Sequence, residues 1–170
     1  MATQAWTRYK LQRKLFAIGE DFWIENDRGE AIFKVDGKAL SLRHTFLVED
    51  QAGTELLSVE SKLIALQPTM KIERQGRLYA TVTKALFTLF HQHFTIQLEG
   101  GPAYEAQGDI TNHEYEVTGN GSPVAQISRQ WFSVRDAYGV AVAPELDQAL
   151  ILAAAVCIDE ITEREREHNR

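Results

Sequence analysis

Positively charged side chains surround one polar turn of the sequence. Lys34, Lys38 and Arg43 lie within and around the tetrapeptide VDGK, where a strand pattern gives way to turn residues. Positive charge on a polar turn is one way to bind a phosphate or another anion. The alternative is that these residues are ordinary solvated surface cations, and the formal net charge of -6 supports this alternative. We therefore take Lys34, Lys38 and Arg43 as candidate ligands of an anionic group.

Two histidines in the segment HQH have a spacing that metal ligands use. His91 and His93 point to the same face if this segment is a strand. No convincing third ligand accompanies them, since His44 and His113 are too distant in sequence to place. We expect exposed or hydrogen-bonded histidines and no metal site.

A calcium loop is not encoded between the acidic residues Asp136 and Asp147. The residues between them include Ala137, Tyr138 and Gly139 instead of alternating oxygen ligands, so an EF-hand pattern is absent. Asp147 is explained by its favourable interaction with the positive end of a helix.

Motifs of the common enzyme classes are missing from the sequence. It contains no G-x-S-x-G elbow, no Walker loop and no dinucleotide-binding fingerprint. The single cysteine, Cys157, lies in an apolar run that does not favour a nucleophilic thiolate. We expect a protein that is not an enzyme and uses no cofactor, with an enzyme whose site the sequence pattern does not reveal as the alternative.

The composition predicts one globular domain of 170 residues, because 44% are hydrophobic and 25% are charged. A net charge of -6 argues against nucleic acid as a partner. The first residues, MATQAWTRYKLQRKLFAIGED, lack the apolar segment and cleavage site of a signal peptide. We expect a cytoplasmic protein, and its oligomeric state is left open.

Most of the chain between residues 8 and 142 reads as short strands separated by turns. Four hairpins are predicted from strand patterns that flank polar, glycine-containing turns. Their paired segments are DFWIEN with EAIFKV, HTFLVED with TELLSVESK, TMKIER with RLYATVTK, and HEYEVTG with PVAQISRQW. Three further segments, HFTIQLE, AYEAQGDI and FSVRDAYGVAVA, raise the number to about ten to twelve strands.

A weak internal duplication divides the strand region into halves of about 8–75 and 77–142. Phe22 to Ile24 (FWI) corresponds to Phe94 to Ile96 (FTI), and Gly53 corresponds to Gly121. We interpret the halves as parts of one domain, since half a barrel leaves its apolar face and its edges open.

The segment LDQALILAAAVCIDEI predicts a helix that is apolar on every side. Pro144 is suited to a first turn, so the helix is expected at about 145–162, with the charged segment TEREREHNR as a solvated, fraying end. Its apolar part, about 15 Å long, is too short to span a membrane. Burial on every side requires that something surrounds the helix, and the preceding strands are the only available material. The residues predict a mainly β fold, a closed β-barrel threaded by its own hydrophobic helix.

Three segments carry a resemblance to a known family. They are RKLFAIGEDFWIENDRGEAIFKVDGKALSL, VAQISRQWF and DAYGVAVAPELDQALILAAAVCIDEI, in this order. The sequence resembles the LURP-one-related proteins, relatives of the tubby C-terminal domain and of the phospholipid scramblases. The resemblance implies a twelve-stranded barrel around a central hydrophobic helix.

The resemblance also shapes the expected function. Tubby-like domains bind phosphoinositide headgroups, and scramblases act at membranes. The function implied is a non-enzymatic domain, peripheral to a membrane, that binds an anionic phospholipid headgroup or a protein partner. A scramblase-like protein anchored by the apolar helix is the alternative.

Overall fold

The structure, a computed structural model, describes residues 5–12, 21–37, 46–62, 67–86, 91–109, 114–128 and 137–169. Twelve strands and one helix form within these ranges. The strands are β1 (Thr7–Gln12), β2 (Phe22–Asn26), β3 (Ala31–Asp36), β4 (Phe46–Glu49), β5 (Glu55–Lys62), β6 (Thr69–Arg74), β7 (Arg77–Lys84), β8 (His91–Leu98), β9 (Ala103–Asp109), β10 (Glu114–Gly119), β11 (Ser122–Ser128) and β12 (Ala137–Val142). The helix α1 (Gln148–His168) follows all of them.

The strands pair in chain order as a closed antiparallel barrel. Each strand pairs with its neighbour in sequence, and β1 closes the sheet by pairing with β12 from Thr7↔Val142 to Gln12↔Ala137. Closure leaves no strand with unpaired backbone groups along an edge of the sheet. The predicted fold class, a β-barrel of about twelve strands threaded by a helix, is confirmed.

All four predicted hairpins form, and β8 with β9 makes a fifth. The turn of β10 and β11 consists of Asn120 and Gly121, with φ of 52° and 76°. Two successive positive φ values define the turn that matches the twist of a two-residue hairpin, which is why asparagine and glycine occupy it. The five hairpin turns lie at one end of the barrel, which we call the turn end; the helix begins there.

The barrel interior is filled by alternate residues of every strand together with the helix. In β5, for example, Leu57 and Val59 are fully buried, and in β8 Phe94 and Ile96 are buried while Thr95 faces outward. The helix residues from Ala149 to Ile158 are all buried. Apolar side chains on all sides of the helix therefore contact strands, as the sequence pattern predicted.

The helix begins later than the sequence predicted. Pro144 is not in the first turn of α1, because residues 144–146 form a turn that precedes the helix. Asp147 is the N-cap, and its Oδ1 accepts a hydrogen bond of 3.2 Å from the Leu150 backbone N–H. An aspartate satisfies free N–H groups at a helix start, so capping at Asp147 prevails over the preference of proline for a first turn.

The helix also ends later, at His168, and the charged tail is not simply solvated. Ile161 and Thr162 are buried, and Lys84 of β7 forms an ion pair with Glu165. Arg164 donates a hydrogen bond of 2.8 Å to the Ser61 hydroxyl of β5. Contacts with two strands thus extend the ordered helix beyond the expected end near residue 162.

The positions that indicated a duplication lie on strands six places apart. Phe22 to Ile24 belongs to β2 and Phe94 to Ile96 to β8, while Gly53 precedes β5 and Gly121 precedes β11. This spacing matches two six-stranded halves, and the duplication itself stays a prediction.

Substituting a helix residue with a charged one tests the burial of α1. Ala154 is 0% exposed, so Ala154→Asp buries a carboxylate without a partner, a change that costs several kcal/mol. We expect loss of soluble, folded protein in size-exclusion chromatography and thermal melting. Ala52→Asp, in an exposed turn, is the matched control and should melt like the natural protein. Near-normal melting of Ala154→Asp would contradict the buried helix.

Reaction with a thiol reagent tests the interior position of Cys157. Its side chain is 0% exposed, and burial raises the pKa of the thiol well above its ordinary value. A buried, protonated thiol reacts slowly, because the thiolate is the nucleophile. We expect labelling only after denaturation, and rapid stoichiometric labelling of the folded protein would refute this prediction.

Candidate functional site

Lys34, the first of the three candidate anion ligands, lies on the outer face of β3. Its Nζ is 3.2 Å from Oδ2 of Asp21 and 3.8 Å from Oε2 of Glu49. The hydrogen bond to Asp21, together with nearby carboxylate charges, raises the pKa of Lys34 above its ordinary value. An anion that binds Lys34 therefore competes with two carboxylates that already offset its charge.

The other two candidate ligands, Lys38 and Arg43, lie outside the described residues. β3 ends at Asp36 and β4 begins at Phe46, so both cations belong to the connection between these strands. The expected grouping of the three cations remains a prediction.

Trp23 is an exposed aromatic residue that the sequence analysis did not single out. It is the register partner of Lys34 across the β2–β3 pair and is 42% exposed. Its neighbours Phe22 and Ile24 are buried, so alternation along β2 turns the indole outward. The same alternation is visible in the sequence DFWIEN, and it could have identified Trp23 as an outward-facing residue.

Several other described cations are also paired with carboxylates. Arg74 binds Asp147 and Lys84 binds Glu165, while Arg164 and Arg166 bind Glu160 and Glu163 within the helix. Some of these pairs are exposed and others are part-buried, and each of them holds its cation against a carboxylate. These four cations are therefore already held by a carboxylate when an anion approaches.

A cluster around Asp147 fixes the start of the helix at the turn end. Asp147 Oδ2 accepts hydrogen bonds from Arg74 and from the Tyr79 hydroxyl, the latter at 2.8 Å. The Arg74 guanidinium also lies 4.0 Å from the centre of the Tyr79 ring. Burial opposes ionisation of Asp147, but the hydrogen bonds from Tyr79, Arg74 and the Leu150 N–H outweigh it and lower its pKa. These contacts indicate that Asp147 is a structural anchor of the start of α1.

A second polar layer lies inside the other end of the barrel. The Tyr115 hydroxyl donates a hydrogen bond to Gln92 Oε1, and the Thr162 hydroxyl of α1 lies 3.4 Å from the same oxygen. Gly108 stands between Gln92 and Tyr115 in the strand register, and a Cβ there would overlap the Tyr115 ring. The missing side chain of Gly108 thus lets Tyr115 reach across β9 to Gln92.

A small cavity adjoins this layer, between α1 and strands β10 to β12. Its volume is about 20 Å³, enough for one water molecule but not for a metabolite or a lipid. The lining residues are Tyr115, Ile127, Tyr138, Ala155, Ile158, Asp159 and Thr162. The helix thus occupies the space in which a barrel of this kind would otherwise hold a ligand.

The two histidines of β8 lie outside the barrel. His93 Nε2 contacts Glu105, and its Nδ1 is 3.3 Å from Gln107 Nε2, while His91 is exposed. Within the described ranges no three His, Cys, Asp or Glu side chains are grouped closely enough to hold a metal ion. Asp136, the other acidic residue considered for calcium, lies outside those ranges.

A closed twelve-stranded antiparallel barrel around one hydrophobic helix defines the tubby-like class of folds. The family model for LURP-one-related proteins matches residues 7–159, and the chain belongs to this family. The X-ray structure of a protein from Arabidopsis thaliana is similar, with a TM-score of 0.67 and 19% sequence identity, over 91% of this chain and 90% of that chain. A search of curated proteins gives no match.

The family match confirms the predicted resemblance, and the Arabidopsis structure shows that the fold is shared. As for a membrane anchor, no helix among the described residues is both long and apolar enough to cross a bilayer. The carboxylates and arginines of the second half of α1 account for this result, because they follow directly after its apolar half.

Acid titration of stability tests the anchor at Asp147. Its lowered pKa means that its contribution is present above the unfolded pKa of about 3.9 and is lost as the pH falls through the folded pKa. Asp147→Ala should lower the free energy of unfolding at pH 7 by about 0.5–2 kcal/mol, with a smaller loss at pH 3. Asp147→Asn keeps a capping oxygen and removes the charge, so it should lose less than Asp147→Ala at pH 7. Equal denaturant midpoints of the natural protein and both variants at pH 7 would exclude a stabilising role of Asp147.

Proposed function

We propose that this protein is a non-catalytic binding module that meets an anionic phospholipid headgroup at a membrane surface. The contact is made by the β2–β4 side, which we define as Trp23, Lys34 and the connection residues Lys38 and Arg43. The observation that carries this proposal is the exposed Trp23 next to a cation on the outside of the barrel.

Recognition on the outer surface follows from the filled interior. The helix residues from Ala149 to Ile158 are buried against the strands, and the cavity beside them holds about 20 Å³. A lipid tail or a headgroup does not fit in this volume. A ligand of this barrel therefore binds to the outer face or to the connections between strands.

An exposed tryptophan beside cations suits the boundary between water and lipid. Its ring is apolar, and its indole N–H donates a hydrogen bond, so tryptophan is enriched at membrane interfaces. Trp23 lies near the beginning of β2, away from the turn end, as do the last residue of β3, Asp36, and the first residue of β4, Phe46. Trp23 would enter the headgroup layer while Lys38 and Arg43 bind phosphate oxygens.

The three cations have different roles in this proposal. Lys34 is held by Asp21 and Glu49, so it binds phosphate only by exchanging a carboxylate. Lys38 and Arg43 are assigned the direct contacts, and charge-assisted hydrogen bonds of this kind contribute about 1.5–3 kcal/mol each. The affinity should fall as salt is added, because screening weakens exposed charge pairs.

Sedimentation with liposomes tests the proposal. We expect the natural protein to bind anionic and phosphoinositide-containing liposomes and to remain in solution with neutral ones. The double variant Lys38→Ala, Arg43→Ala should bind at least tenfold more weakly while melting normally, given about 1.4 kcal/mol per factor of ten. Trp23→Ala should also weaken binding, since it removes the aromatic anchor from the interface.

Leu78→Ala is the matched control for the tryptophan. Leu78 is 38% exposed on β7, so its truncation removes a similarly accessible apolar side chain from a different side of the barrel. Its binding should equal that of the natural protein. Equal binding of the natural and double-variant proteins would exclude Lys38 and Arg43 as contacts.

A protein partner is the second candidate, and the charge of the molecule favours it. The formal net charge is -6, and described cations such as Lys34 and Arg74 already have carboxylate partners. Such a surface repels anionic membranes wherever cations are not concentrated. Absence of binding to every anionic liposome would make the protein partner the leading hypothesis.

A further inference from the structure

One hairpin turn contains the only asparagine of the chain that precedes a glycine, the pair Asn120–Gly121. The other three asparagines precede residues with side chains: Asn26 before Asp27, Asn112 before His113 and Asn169 before Arg170. The side-chain amide of an asparagine reacts with the backbone nitrogen of the next residue. A glycine obstructs this reaction least, because it has no Cβ. The sequence therefore favours the reaction most at Asn120.

The structure leaves both residues of this turn open to solvent. Asn120 and Gly121 are exposed, and a Cβ placed on Gly121 would meet no atom within 4 Å. The turn joins Gly119 and Ser122, which are register partners at the ends of β10 and β11. The closing hydrogen bond of such a turn joins the two flanking residues, so the Gly121 N–H takes no part in it. No backbone oxygen in the described part of the chain accepts a hydrogen bond from this N–H.

Asn26 shows how another turn of the barrel holds an asparagine. Its Oδ1 accepts hydrogen bonds of 2.9 Å from the backbone N–H groups of Arg28 and Glu30, and its Nδ2 donates one of 3.0 Å to Glu30 Oε2. These bonds must break before the amide carbon reaches the next backbone nitrogen. The described residues provide no such bonds to the side chain of Asn120.

We infer that Asn120 is a site of spontaneous covalent modification, where the amide is lost as ammonia and part of the product is isoaspartate. The Gly121 nitrogen attacks Cγ of Asn120, the new bond closes a five-membered imide, and the proton of that nitrogen leaves with the ammonia. Water then opens the imide. Cleavage at Cγ gives aspartate, and cleavage at the main-chain carbonyl carbon gives isoaspartate, in which the backbone runs through the former side chain. The reaction consumes water and needs no oxidant or reductant.

Opening of the turn precedes ring closure, because the ring changes the backbone torsion between the two residues. Turns at the exposed ends of hairpins open at low free energy, since few contacts are lost. The turn Gln75–Gly76, between β6 and β7, has φ of 51° and 74°, nearly the values of 52° and 76° at Asn120–Gly121. Glutamine would have to close a six-membered ring, which forms far more slowly. The two turns are therefore a natural pair with the same backbone and different reactivity.

The isoaspartate product disturbs a closely packed hairpin end. It adds one carbon atom to the backbone of a two-residue turn, and the turn sets the register of the hairpin. A Cβ on Gly119 would lie 2.7 Å from Cδ1 of Tyr104, so the Tyr104 ring already lies close against β10 beside the modified residue. A shift of Gly119 breaks this contact. The aspartate product keeps the turn, because aspartate also adopts the left-handed conformation.

Peptide mapping of the full chain by mass spectrometry measures the modification. The natural protein is incubated in mildly alkaline buffer at physiological temperature, and chromatography separates the aspartate and isoaspartate peptides. We expect the mass change from amide to acid to accumulate at Asn120 at least about tenfold faster than at Asn26, whose hydrogen bonds raise the barrier. Conversion at Asn120 that is no faster than at Asn26 overturns the inference.

Two variants separate the added backbone carbon from the added charge. Asn120→Gln copies the Gln75–Gly76 turn, so it should fold and keep its melting temperature during the incubation. Freshly prepared Asn120→Asp has the charge of the product without the added carbon and should melt like the fresh natural protein. The isoaspartate fraction of the incubated natural protein should melt about 2–4 °C lower. An unchanged melting temperature of that fraction, or an equal loss in incubated Asn120→Gln, overturns the predicted disturbance of the hairpin.

Discussion

Mutual burial of the apolar helix and the inner face of the barrel is the interaction on which the rest of this structure depends. Each part depends on the other for burial, because the first half of α1, from Ala149 to Ile158, is apolar on every side and the barrel without it has an open interior. A twelve-stranded ring is wide enough to surround one helix, and the small residues Ala153, Ala154 and Ala155 limit the girth of α1 at its centre. The helix thereby fills the interior, and the cavity beside it, of about 20 Å³, is too small for a lipid or a metabolite.

The two polar layers determine where the helix stops along the barrel axis. Apolar packing alone is tolerant of sliding and rotation, since leucine, isoleucine and valine contacts have little directional preference. Hydrogen bonds are directional, and they join α1 to strands at both ends, through Asp147 at the turn end and through Thr162 near Gln92 at the other. The polar groups thus select one position of the helix among several of similar apolar contact.

The sequence was sufficient to predict the hairpins, the closed barrel and the buried helix, because each depends on patterns within a few residues. Alternation along a strand and polar, glycine-containing turns are local signals. The start of α1 was misplaced because two local preferences competed, those of Pro144 and Asp147. The contacts of Asp147 with Arg74 and Tyr79 join distant parts of the chain, so the linear sequence does not reveal them.

For the candidate site, the position of Lys34 on a strand was predictable, but its pairing with Asp21 and Glu49 depends on neighbouring strands. The outward position of Trp23 could have been predicted from the same alternation of residues that identified the core.

The order of the elements along the chain constrains how this protein is made. β1 completes its pairing only with β12, and the helix that fills the core follows every strand. During synthesis on the ribosome, the strands emerge first and leave their apolar faces without a core until α1 is released. Contacts between distant parts of a chain form slowly, and exposed apolar strands aggregate. The native core therefore forms only after translation has passed the helix, and until then the apolar faces of the strands are exposed.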